Sequence, residues 1–124
     1  MEKEFIPYEQ ALALKELGFD EPCFGAWVNN ELFITENEKP KIQSLSINQC
    51  TAPLYQQAFR WFRKQYKLIF FVFPQIEDGG CEYQIVHYNP HKIMYKVYSK
   101  GMTYEEAELA CLKKLIEIVE PKSE

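Results

Sequence analysis

Two histidines, His87 and His91, stand at an H-x-x-x-H spacing. On a helix that spacing puts both imidazoles on one face, as in a metal-ligating pair. Here Asn89-Pro90 lies between them. Proline fixes φ and lacks an N–H, so the pair is expected to straddle a strand end and a turn. Cys81 would share a strand face with His87, but no fourth ligand accompanies them, and no metal site is expected. The four cysteines, Cys23, Cys50, Cys81 and Cys111, are scattered and form no CxxC pair. They read as reduced, buried thiols. Ser44, Ser46, Ser99 and Ser123 lie in no nucleophile elbow. A thiol nucleophile needs a base or a helix N-terminus to ionise it, and no cysteine stands at a signalled helix start. Gly79-Gly80 precedes no helix, so it reads as a hairpin turn and not as a phosphate loop. The carboxylates fall where solvation and helix capping account for them. The expectation is a chain without catalytic residues and without a cofactor.

One constellation does point to a chemistry, that of binding. Arg60, Arg63, Lys64 and Lys67 follow i, i+3, i+4, i+7 and make one basic stripe on a predicted helix. Cations at that spacing can meet successive phosphates or an acidic protein surface. Trp61 and Phe62 fall between them on the core side of the same helix.

That stripe is positioned by a helix predicted over 53–66, with Pro53 near its first turn and Thr51 or Ala52 at its cap. An earlier helix is expected over 7–17, closed by Gly18 as the residue able to take positive φ. Phe24–Val28 and Leu32–Thr35 read as a hairpin about Asn29-Asn30, because Asn tolerates the left-handed region. Ile42, Leu45 and Ile47 suggest a short further strand. Leu68–Phe73 is apolar throughout and reads as a central, buried strand stopped by Pro74. Cys81–Tyr88 alternates, with Cys81, Tyr83, Ile85 and His87 together. Ile93–Tyr98 alternates again, with Ile93, Tyr95 and Val97 together. The last helix opens with Thr103 as cap and Glu106 at N3, a capping box. Glu105, Glu106 and Glu108 crowd the positive end of its dipole. The expected fold is α+β, a mainly antiparallel sheet with helices on one face, in the order α-β-β-(β)-α-β-β-β-α.

The chain has 124 residues, a length that suits a single domain spanning 1–124 with a core of its own. Its net charge of −4 conceals a partition. Residues 1–38 carry nine acids and two bases, residues 39–76 six bases and no acid, and residues 77–124 nine acids and six bases. Clustered charge steers association and selects partners. Aromatic residues make up 15% of the chain, more than one small core holds, so some are expected at the surface as contact residues. The charged start and the absence of a long apolar run predict neither an export signal nor a membrane span. The expected location is the cytoplasm.

Helix, three antiparallel strands, helix over residues 53–119 resembles the double-stranded-RNA-binding domain in topology, and Gly101–Cys111 is similar to that family's entry into its last helix. The family places lysines in the first turn of that helix, where this chain has Tyr104, Glu105, Glu106 and Glu108. The resemblance therefore implies the fold and speaks against that mode of RNA binding. In wording, the segments at 4–25, 52–68 and 103–117 resemble a family of short uncharacterised proteins of bacterial prophages and other mobile elements. That resemblance implies an accessory protein that binds a host protein, and in its most concrete form an anti-CRISPR inhibitor of an RNA-guided nuclease. The alternative is an RNA- or DNA-binding accessory protein. In both readings the contact residues are Arg60, Arg63, Lys64 and Lys67.

Overall fold

A computed structural model describes residues 2–34, 49–75, 79–88, 91–99 and 102–120. The chain divides into two compact units, Met1–Ala58 and Phe59–Glu124. The architecture is α+β, with three α-helices and two three-stranded antiparallel sheets among the described residues.

In the first unit, a 3-10 turn at Glu2–Glu4 leads to α1, Tyr8–Leu17. Pro7 is extended and serves as its N-cap. Gly18 closes the helix at φ 103, as the sequence predicts. Its N–H donates to the Lys15 carbonyl at 3.1 Å, and Phe19 N–H donates to Leu14 at 2.9 Å. These are the paired bonds of a Schellman closure, and buried Phe19 supplies its apolar contact. Strands β1, Gly25–Val28, and β2, Glu31–Ile34, form the expected hairpin. Asn29 at φ 52 and Asn30 at φ 64 make its two-residue turn, and two successive residues of positive φ give a turn that matches the right-handed twist of the strands.

The other side of β1 pairs with β3, Gln49–Ala52, giving the order β2-β1-β3. Sequence reasoning places Thr51 and Ala52 at the cap of the next helix. They are strand residues instead, because Cys50, Thr51 and Ala52 are all buried and show no alternation to read. The strand predicted at 42–47 lies outside the described residues. Ile6 N–H donates to the Pro53 carbonyl at 3.0 Å. That bond holds Pro53 outside the helix, so α2 begins at Tyr55 and runs to Tyr66. α1 packs against β3. Trp27 Nε1 donates to the Ile6 carbonyl at 3.1 Å, and its ring meets Tyr8 edge-on at 6.2 Å. Gly25 passes so close to Phe5 that a Cβ there would lie 3.0 Å from its ring.

In the second unit, β4 (Leu68–Gln75), β5 (Gly80–Tyr88) and β6 (His91–Ser99) form a meander in the order β4-β5-β6. α3, Tyr104–Val119, carries the predicted capping box, with Glu106 N–H donating to Thr103 Oγ1 and Thr103 N–H donating to Glu106 Oε1. The strands thus form two sheets rather than one.

One face of the second sheet is the core. Phe59 of α2 stacks on Phe70 at 3.7 Å. α3 packs on β4 and β5 through Ala107, Cys111, Leu112, Leu115 and Ile116, all buried. Phe70, Ile85 and Tyr95 are cross-strand partners and so share this face. Both helices therefore lie on one side of this sheet.

Candidate functional site

The predicted basic stripe is a surface. Arg60, Arg63, Lys64 and Lys67 are all exposed. The opposite side of α2 is fixed by Ala58, Phe59, Trp61 and Phe62, each buried. Trp61 meets Phe62 at 5.2 Å and Tyr66 at 5.6 Å, both edge-on. The helical repeat stops at Tyr66. Lys67 has φ 58, and its N–H donates to the Arg63 carbonyl at 3.1 Å. It is a left-handed cap, so it extends the ridge from beyond the helix end. Because Phe59 stacks on Phe70, the helix that carries the ridge lies on the core side of the sheet.

A second surface lies on the sheet's other side, and sequence reasoning missed it. Leu68–Phe73 reads as a central strand, but among the described strands β4 is an edge. Phe71 is 43% exposed and Phe73 42%, and their rings stack at 6.0 Å. β4 also continues through Pro74, which pairs with Cys81. An edge strand tolerates proline because its open side needs no N–H.

On β6 the register slips. Ile85 faces Tyr95 while Val86 faces Ile93, leaving Met94 as the extra residue of a bulge. A one-residue slip turns side chains to the other face. Ile93, expected on one face with Tyr95 and Val97, is therefore on the outer face instead and 59% exposed. Ile69 with Val86 and Ile93 form one cross-strand row, Phe71 with Gln84 and Lys96 the next, and Phe73 with Glu82 and Tyr98 the third. Lys96 Nζ lies 4.0 Å from Glu82 Oε2, and Gln84 Nε2 donates to that same oxygen at 2.9 Å. The alternation of Ile69, Phe71 and Phe73 was the available signal. It was hidden because Leu68, Phe70 and Val72 between them are apolar as well.

The nucleophile candidates are placed otherwise. All four cysteines are buried thiols. Burial pushes Cys50 up to about 11, against a small opposing pull from Lys15. Burial, assisted by Glu108, pushes Cys111 up to about 12. Both are protonated at neutral pH, opposite to what a thiolate nucleophile needs. Tyr83 rises to about 12, chiefly by burial and then through Tyr95. Lys114 Nζ sits 4.3 Å over the Tyr95 ring and pairs with Glu117 at 3.2 Å, closing the α3 side of that core. His87 lies in β5 and His91 in β6. The side chain of His91 falls outside the described residues. Among the described residues no group of three His, Cys, Asp or Glu side chains is arranged to hold a metal.

The start of α3 is acidic. Glu105 and Glu106 are exposed. Hydrogen bonds from Thr103 hold the Glu106 carboxyl below the ordinary range, whereas burial and then Glu105 raise Glu108. No helix among the described residues is long and apolar enough to cross a membrane. No family model matches the chain, and no curated protein or solved structure shows significant similarity to it.

Proposed function

We propose that this chain is a non-enzymatic binding protein of a phage or mobile element that acts on a host protein in the cytoplasm. The observation that carries the reading is the α2 ridge: Arg60, Arg63 and Lys64 exposed on a helix whose other face is locked in an aromatic core, with Lys67 continuing it. A helix fixed by its packed face holds these cations at a set spacing, which selects an acidic partner surface. The likeness of residues 4–25, 52–68 and 103–117 to prophage-encoded proteins supports a target in host defence. The most concrete version is an anti-CRISPR inhibitor that blocks an RNA-guided nuclease by occluding it. The test is affinity capture from host cells in the presence of nuclease. A stable protein partner is expected, retained after nuclease treatment and lost from Arg60→Glu/Lys64→Glu. Capture of no partner, or of one indifferent to that charge reversal, overturns the reading.

A second reading is favoured by the helix–three strands–helix order of α2 to α3 together with the same ridge. In it the partner is RNA or DNA. Binding would then weaken steeply with salt, as phosphate contacts require. The exposed Glu105 and Glu106 at the start of α3 weigh against a duplex-RNA mode, because they would repel phosphates there.

A further inference from the structure

We infer that the outer face of the β4-β5-β6 sheet is a self-association surface, and that its occupant is a second copy of this chain. One of its three rows, Ile69, Val86 and Ile93, is wholly apolar and the other two each carry a phenylalanine, with Phe71, Phe73, Ile93 and Tyr98 each at least 40% exposed. Exposed apolar groups gathered on one flat face mark an interaction site. The described side chains of the three rows include one acid, Glu82, and one base, Lys96, already paired with each other. These three rows are therefore electrically neutral and do not steer nucleic acid or a strongly charged partner. It is also its own charge complement.

The register shows how two copies fit. Glu82 and Lys96 lie on adjacent strands and adjacent rows, so the line joining them is diagonal. A two-fold axis in the plane of the face, crossing that line at its middle, runs past Phe71, Gln84 and Tyr98. It sets Lys96 of one copy over Glu82 of the other, and Ile93 over Phe73. Such an isologous contact closes on itself, and the strands of the two sheets then cross steeply, one of the known ways that sheets stack. Edge-to-edge pairing is discouraged instead. β6 carries the bulge at Met94, and β4 carries Pro74.

The area sets the strength. Three strands ~4.8 Å apart make a sheet roughly 14 Å wide, and two such sheets crossing steeply overlap over roughly 200 Å² per copy. That is well below a standard stable interface, so the association is weak, transient and dependent on concentration. It uses the side of the unit opposite the α2 ridge and does not rest on the function proposed above.

Sedimentation equilibrium of the whole chain over a concentration series tests it. A monomer–dimer equilibrium is expected, with Phe71→Asp monomeric and its circular dichroism unchanged. Glu82→Lys and Lys96→Glu should each be monomeric alone, because both contacts between copies then join like charges. Mixed one to one they should associate, because both contacts are again complementary. A chain that stays monomeric at every concentration overturns the proposal, also when Phe71→Asp is found to cost it a host partner instead. So does a dimer that survives Phe71→Asp. Failure of the mixed pair to associate overturns the diagonal two-fold arrangement.

Discussion

Two glutamates two residues apart respond in opposite ways to their surroundings. Thr103 holds Glu106 in its ionised form, so its carboxyl is depressed. Its contribution to stability is complete above the unfolded value, about pH 4.3, and is lost as the pH falls through the lower folded value. Glu108 is raised by burial and by Glu105. Its charge therefore costs stability at neutral pH, and acid relieves that cost. Glu106→Gln should flatten the loss of thermal stability on acidification, because the amide oxygen can still cap without titrating. Glu108→Gln should raise the melting temperature at pH 7 and change it little at pH 4. Thermal melts at the two pH values check both. The capping box was legible because its residue types and spacing are local. The shift of Glu108 was not, since it depends on which face of α3 the fold buries.

Among the elements, the turn between β1 and β2 was readable from two residues and the bulge inside β6 was not. Asn29 and Asn30 both hold positive φ, the requirement of a two-residue turn that twists with its strands. Asn30→Gly should be neutral or stabilising by a few tenths of a kcal/mol. Asn30→Val should destabilise by about 1–2 kcal/mol, because its branched Cβ collides with the carbonyl in the left-handed region. Urea unfolding of the two variants measures the difference. The bulge at Met94 has no such signature. Ile93, Tyr95 and Val97 alternate perfectly, and only pairing with β5 shows that the alternation breaks between Ile93 and Tyr95. The edge position of β4 was hidden for a similar reason. Six consecutive apolar residues fit either a buried strand or one whose outer face meets a partner.

For the molecule as a whole, charge follows the two units. Met1–Ala58 carries four bases against nine acids, and Phe59–Glu124 ten against nine. The acidic balance thus belongs to the first unit, while the ridge stands in the nearly neutral second. That second unit has a cationic side, formed by α2, and an apolar side, formed by its sheet. The two sides should act independently. Arg60→Glu/Lys64→Glu should leave self-association intact in sedimentation, and Phe71→Asp should leave binding through the ridge intact in a partner-capture assay. Loss of both activities in either variant would show the two surfaces to be one site.

What the chain determined by itself was local. The Gly18 helix closure, the Asn-Asn turn, the Thr103 capping box and the cationic face of α2 each follow from a few neighbouring side chains and a fixed repeat. Their geometry needs nothing distant. Tertiary structure decided which strands pair and in what register. It made a strand of Gln49–Ala52, divided the described strands into two sheets, turned Ile93 outward and left Phe71 and Phe73 exposed. Those outcomes depend on partners far away in sequence, and a strand's own pattern cannot say whether its second face meets protein, solvent or another copy.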